Sequence, residues 1–175
     1  MIKRNEDEDD QRERYIVLLR HGIAEDRTPA KSDEERGLTS EGHARMKQIA
    51  LGLERAFPRA QVIYTSPLVR AMQTALWVSK GYRSRIKIET TEALVPSAGT
   101  DAIEELLRRI PQRRVILVGH EPNLTSNLMA LIKVKSRESF ELKKGGCYCV
   151  CARQGGTILE WMLSPRLLRK LAEKS

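Results

Sequence analysis

Two short, uninterrupted apolar runs, each ending in a histidine, constrain this chain more than any other feature. Tyr15-Ile-Val-Leu-Leu19 runs directly into Arg20-His21-Gly22, and Val115-Ile-Leu-Val118 runs directly into Gly119-His120. Apolar residues without alternation suit a strand that is covered on both faces. Such strands belong to sheets with helices packed on either side, built from strands and helices in alternation.

The rest of the chain supplies that alternation. Thr39 is suited to cap a helix, and Glu41 falls in a first turn, where the helix dipole favours an acid. Met46, Ile49, Ala50, Leu53 and Phe57 recur at helical spacing, which predicts an amphipathic helix over 40–56 that stops at Pro58. Gln61–Thr65 reads as a strand, and Ser66-Pro67 as the cap and first position of a helix reaching about Lys80. Ile86 and Ile88 suggest a short strand, and Asp101 with Glu104 resembles a capping box before a helix over 102–110. A helix is expected from Asn123 to about Lys133, then strands over 145–152 and 157–163 joined at Gly155-Gly156, then a basic helix over 166–173. Residues 23–38 lack periodicity and read as a polar loop punctuated by Pro29, Ser32 and Gly37. The expected fold is α/β: a three-layer α/β/α sandwich around a mainly parallel central sheet, formed as a single domain over 15–175.

With 175 residues, 41% of them hydrophobic, the chain can bury one sizeable core. Residues 1–14 hold four basic and six acidic side chains, a net of −2, and are expected to form a mobile charged tail. The overall charge of +8 therefore leaves +10 on the body, which suits an anionic partner. Nucleic acid is set aside, since aromatic residues make up only 5% of the chain and no recognition motif is present. No apolar stretch reads as a secretory signal or is long enough to span a bilayer, so a cytoplasmic protein without a membrane partner is expected. Cys147, Cys149 and Cys151 lie two apart, so on a strand they point the same way and are ill placed to form disulfides. With no second ligand pair in view they read as small apolar side chains lining a strand, not as a metal site.

The chemistry gathers where strands end. Ligands of open α/β sheets bind beyond the carboxyl ends of the strands, and two of those ends deliver His21 and His120. Arg20 precedes the first histidine, and the helix after the Gln61–Thr65 strand carries Arg70 in its first turns. Two arginines and two histidines make a pocket for a dianion, because guanidinium forks match phosphate oxygens and stay charged. The helix starts at Ser66-Pro67 and Asn123 would add unpaired N–H groups. Histidine can itself be the nucleophile, and phosphoryl transfer needs mainly positioning and charge stabilisation. No P-loop and no aspartate-rich magnesium site accompanies these residues, so no metal and no cofactor is expected. His43, near the start of an exposed helix with no strand behind it, reads as structural.

These blocks resemble the histidine phosphatase superfamily, which includes the cofactor-dependent phosphoglycerate mutases. Leu19-Arg-His-Gly22 matches its signature at the end of the first strand, and Leu38-Thr-Ser-Glu-Gly42 resembles its Leu-Thr-x-x-Gly helix start. Thr65-Ser-Pro-Leu-Val-Arg-Ala-Met-Gln-Thr-Ala75 is similar to its second block, and Val118-Gly-His-Glu-Pro-Asn-Leu124 to its third. The short chain and the closing Glu160-Trp-Met-Leu-Ser-Pro165 look like the SixA-type phosphohistidine phosphatases.

The resemblance implies a phosphoglycerate mutase-like fold, His21 as nucleophile and Arg20, Arg70 and His120 as the phosphate pocket, with Asn123 as a further substrate-binding residue. It also implies a metal-independent phosphatase with a covalent phosphohistidine intermediate, acting on protein phosphohistidine. Many superfamily members carry a catalytic glutamate in a Leu-x-Glu segment, whereas here Glu92-Ala-Leu-Val-Pro-Ser97 places a proline at that point. Glu92 is the nearby candidate acid, and a surface salt bridge is its alternative role. SixA-type members share the lack. A broad small-molecule phosphomonoesterase and a non-catalytic phosphoprotein-binding module remain the competing readings.

Overall fold

The computed structural model describes residues 13–135 and 140–173. In chain order these form β1 (Arg14–Arg20), α1 (Ser40–Ala56), β2 (Val62–Thr65), α2 (Val69–Gly81) and β3 (Lys87–Thr90). A 3-10 turn (Glu92–Leu94), α3 (Thr100–Arg109), β4 (Arg114–Gly119) and α4 (Asn123–Ile132) follow. The described chain closes with β5 (Cys147–Arg153), β6 (Gly156–Leu163) and α5 (Pro165–Glu173). One sheet takes the order β3-β2-β4-β1-β5-β6. Its first four strands are mutually parallel, and β5 and β6 are antiparallel additions.

The two apolar runs are the two central strands, and their alternation divides the core. Val17 and Leu19 of β1 and Ile116 and Val118 of β4 face one layer, where Met46, Ile49 and Leu53 of α1, Ala71, Ala75 and Val78 of α2 and Leu168 of α5 cover them. Ile16, Leu18, Val115 and Leu117 face the other layer, against Ile103 and Leu107 of α3 and Leu124 and Leu128 of α4. Leu53 has no exposed surface, and truncating such a side chain to alanine typically costs about 2–5 kcal/mol. The three-layer architecture follows from strands that are apolar on both faces.

Two glycines of α1 let other backbone approach closely. A Cβ on Gly42 would lie 2.0 Å from the Ile23 carbonyl oxygen, and one on Gly52 would lie 1.8 Å from that of Leu168. The first holds the chain that leaves His21 against α1, and the second seats α5. Thr39 caps α1 through its side chain, which accepts from the Gly42 N–H at 2.9 Å.

The structure moves several expected boundaries. Arg14 is the first residue of β1 and donates to the Leu107 carbonyl at 2.5 Å, so the charged tail ends before it. Residues 1–12 of that tail lie outside the described residues. Ser66-Pro67 does not start α2, which begins at Val69 after Leu68 with no side-chain cap. The Ser66 N–H still bonds the Val118 carbonyl at 3.0 Å, so the chain is tied to the sheet beyond β2 and turns only afterwards. Asp101 is not a cap either: α3 starts at Thr100, with Gly99 as its cap residue. Cys147, Cys149 and Cys151 are free and buried. Burial pushes the Cys149 thiol up to about 12 and that of Cys151 up to about 11. Among the described residues no helix is long and apolar enough to cross a membrane.

Candidate active site

Strand register brings the two histidines together. β1 pairs with β4 one residue to one, through Leu19↔Val118 and Arg20↔Gly119, so both chains leave the sheet at the same level. The His21 and His120 rings lie 4.9 Å apart at 52°, and both residues are buried. The His21 N–H donates to the Gly119 carbonyl at 3.0 Å, and the Gly22 N–H donates to Thr74 Oγ1 at 3.1 Å.

His21 Nδ1 lies 2.7 Å from the Gly22 carbonyl oxygen. A carbonyl can only accept, so Nδ1 carries the proton and the lone pair is on Nε2. Burial, then the neighbouring His120, push the His21 imidazole down to about 3. His120 is likewise pushed down to about 3, by burial and then by Arg70. Both rings are therefore neutral at pH 7, and His21 presents an unprotonated nitrogen without an adjacent base.

Arg20 and Arg70 flank the pair. Arg20 Nη1 donates to the Leu142 carbonyl at 2.6 Å, which fixes the head of the side chain against the segment before β5. Arg70, 2% exposed, is held by the loop over 23–38: Nη1 donates to the Asp33 carbonyl at 2.5 Å and Nη2 to Asp33 Oδ2 at 2.8 Å. Asp33 also receives Arg27 Nε at 2.9 Å and Arg36 Nη2 at 2.8 Å. Partial burial alone would raise the Asp33 carboxyl, but hydrogen bonds from Arg36, Arg27 and Arg70 outweigh it and hold it well below the usual carboxylate range. Burial lowers both Arg20 and Arg70 from their ordinary value.

His120 Nε2 lies 2.9 Å from Ser66 Oγ, which also accepts from the Leu68 N–H at 3.3 Å. If the hydroxyl donates to Nε2, both bonds are satisfied and Nδ1 of His120 becomes the N–H donor. Four buried polar atoms of this group have no protein partner: Arg20 Nε, Arg70 Nε, His120 Nδ1 and Asn123 Oδ1. Three of them are donors in this arrangement, the complement of a phosphoryl group. Asn123 Nδ2 donates to the Ala98 carbonyl at 2.7 Å, leaving one hydrogen on that nitrogen.

The helix starts contribute less than the sequence suggested. The Val69 N–H is engaged by the Glu34 carbonyl, and those of Leu124 and Thr125 by the His120 carbonyl and Glu121 Oε1. Glu92 is exposed and stands with Asp33, Pro67 and Pro96 around a hollow of about 410 Å³, so it neighbours the arginine network without touching the histidines. His43 lies apart from the cluster, where its Nδ1 accepts from Trp77 Nε1 at 2.9 Å. Among the described residues no group of three or more His, Cys, Asp or Glu is arranged to hold a metal ion.

Sequence reasoning overlooked Asp33, Ser66 as a partner of His120, and Thr74, whose hydroxyl links Gly22 to the Arg70 carbonyl. Only Thr74 had a signal in the sequence, since it lies one helical turn beyond Arg70.

The geometry agrees with the comparisons. The sequence profile of the histidine phosphatase superfamily (branch 1) matches residues 16–96. An uncharacterized protein of Picosynechococcus sp. is 32% identical over 134 residues, covering 75% of this chain and 81% of that protein. The fold is similar to that of a protein assigned as the phosphohistidine phosphatase SixA of Agrobacterium tumefaciens, with a TM-score of 0.76 at 24% identity over 87% of this chain and 98% of that one. It is also similar to the protein histidine phosphatase SixA complexed with tungstate, with a TM-score of 0.78 at 22% identity over 88% and 99%. A phosphoserine phosphatase of Entamoeba histolytica shares the fold at a TM-score of 0.69 and 17% identity, over 88% and 98%. At these identities the solved structures speak to the fold, which is phosphoglycerate mutase-like. With its His21 and His120 blocks in register at the strand ends, the chain belongs to branch 1 of the histidine phosphatase superfamily.

Proposed function

We propose that the protein is a metal-independent phosphohistidine phosphatase whose nucleophile is Nε2 of His21. The observation that carries this reading is the bond from His21 Nδ1–H to the Gly22 carbonyl, which directs the lone pair of a neutral, buried ring to Nε2 beside two arginines. In the first step this lone pair attacks phosphorus and the bond from phosphorus to the substrate imidazole breaks. The departing imidazole nitrogen takes a proton from water. In the second step water attacks phosphorus, the P–Nε2 bond breaks, and inorganic phosphate leaves after losing a proton to solvent. Arg20, Arg70 and His120 Nδ1–H hold the equatorial oxygens in both steps, and the remaining Asn123 amide hydrogen adds a contact on the Ala98 side. These roles agree with the family's phosphate chemistry, and the fold shared with the tungstate-bound protein histidine phosphatase supports an oxyanion pocket here.

The leaving group argues for phosphohistidine. An imidazole departs easily, whereas an alkoxide needs a positioned acid that contributes on the order of 10²–10⁴-fold. The experiment is a quench-flow reaction with phosphohistidine-labelled protein, stopped in base, where a phosphoramidate survives. Label should accumulate on His21, and His21→Ala should remove both label and turnover. Turnover retained by His21→Ala would refute the nucleophile.

One observation favours a second reading, a broad small-molecule phosphomonoesterase. Glu92 lines a hollow that shares Asp33 with the Arg70 contact, so an acid stands beside the arginine network. Sugar phosphates hydrolysed as efficiently as phosphohistidine, with that activity selectively lost in Glu92→Gln, would favour it. If neither substrate turns over, the non-catalytic binding module takes their place.

A further inference from the structure

Both α1 and α2 run against the parallel strands, so both end at the side of the sheet opposite His21. Seven residues of β1 at about 3.3 Å each separate that side from the histidines by roughly 20 Å. There the ends of α1 and α2 and the segment leading into β3 enclose a hollow of about 430 Å³. Arg55, Arg59, Arg83 and Arg85 line it, and Glu54 is the single carboxylate among its lining residues.

These arginines exceed what their surroundings neutralise. A helix C-terminus carries roughly half a negative charge, so two ends and Glu54 supply about −2, less than the three guanidinium groups of Arg59, Arg83 and Arg85 carry even with Arg55 left out. Arg55 donates to the Leu171 carbonyl of α5. Arg59, Arg83 and Arg85 are exposed and have no ion pair among the described residues. The walls are braced, because Tyr82 OH donates to the Phe57 carbonyl at 2.5 Å and ties the end of α2 to the end of α1. Arg59 and Arg83 sit in left-handed turns, with φ of 59° and 58°, which L-residues seldom adopt.

We propose that this hollow is a second anion site, separate from the catalytic pocket, which takes a compact ligand with two or more linked phosphate groups. Guanidinium forks select phosphate and carboxylate, and several of them around one hollow require several anionic groups. Its volume falls in the range of small-ligand pockets, about 300–1,000 Å³. Five residues of an extended acidic peptide span about 17 Å, whereas a compact space of this volume is only about 9 Å across.

The test is calorimetry on the full chain with tripolyphosphate, orthophosphate, an acidic pentapeptide and a short oligonucleotide as probes. Tripolyphosphate should bind saturably and weaken with added salt. Removing Arg59, Arg83 and Arg85 together should cost at least about tenfold in affinity, since hydrogen bonds to charged groups are among the stronger ones. Arg70→Ala should leave this binding in place. The triple variant should keep its circular dichroism spectrum and its turnover. Three results would overturn the proposal: no saturable binding, binding that disappears in Arg70→Ala and persists in the triple variant, or tighter binding of the peptide or the oligonucleotide.

Discussion

Asp33 clasps Arg70 at two points, its carbonyl oxygen 2.5 Å from Nη1 and its carboxylate 2.8 Å from Nη2, across 37 positions of sequence. The buried Nε edge of the guanidinium is left without a protein partner, so in the proposed phosphate pocket the clasp would set which edge meets a substrate. Asp33→Ala should therefore misplace Arg70 without removing it. Misplacement of about 1 Å at such a site can cost on the order of 10²-fold, so kcat/KM should fall about 10- to 100-fold with the fold intact. Steady-state kinetics alongside circular dichroism checks this, and activity within twofold of wild type would show that the clasp is idle.

Arg70→Lys isolates the fork from the charge. Lysine keeps the positive charge but cannot present two parallel N–H groups. Loss of one preorganised donor typically costs about 10²–10³ in kcat, and a loss of that order is expected with phosphohistidine. If lysine substitutes freely, the pocket works by charge alone.

Gly42→Ala should damage the fold and the site together. The new Cβ would meet the Ile23 carbonyl at 2.0 Å, and that carbonyl also accepts the Thr39 N–H at 3.0 Å. Overpacking of this kind typically costs about 1–3 kcal/mol. Thermal unfolding should show the loss, and an unchanged midpoint would mean that α1 can shift away from the segment after His21.

The imidazoles of His21 and His120, pushed down to about 3 by burial, should stay neutral from pH 5 to 8 in the ligand-free protein. The unfolded chain takes up these protons below about 6.5 and the folded one does not, so their contribution to stability is full above 6.5 and declines as pH falls towards 3. Imidazole NMR resonances of His21 and His120 that do not move across pH 5–8 would bear this out. A midpoint near 6.5 for either ring would contradict it.

The three cysteines should be inert until the protein unfolds. Cys149 is held at about 12 and Cys151 at about 11, and thiolate is the reactive form. A disulfide reagent should modify none of them in buffer and all three in denaturant, while single alanine variants keep kcat. Rapid labelling of the native protein would place a thiol at the surface.

The parts of the molecule that were legible in the sequence are those governed by local pattern. β1 and β4 announced themselves by unbroken apolar runs, and α1 by its period and by Thr39. His21 and His120 were legible because a residue that follows a buried strand must emerge at the sheet's carboxyl edge. Asp33 was not, because its role depends on an aperiodic loop folding over a helix that starts 36 positions later. Ser66 was misread for a related reason. Its N–H is drawn to Val118 and its hydroxyl to His120, both distant in sequence, and those contacts outweigh its local preference for capping a helix.

The one-to-one pairing of β1 with β4, from Tyr15↔Arg114 to Arg20↔Gly119, has a consequence for how this chain can change length. One residue inserted within either strand would turn every later side chain of that strand to the opposite face and swing its histidine out of reach of the other. The connections obey no such parity, since a crossover may grow or shrink while the strand it feeds still starts at the same rung. Insertions and deletions compatible with the chemistry are thus confined to the links between elements. The distance between the two histidines along the sequence is free to drift, whereas their position counted in rungs of the ladder is not.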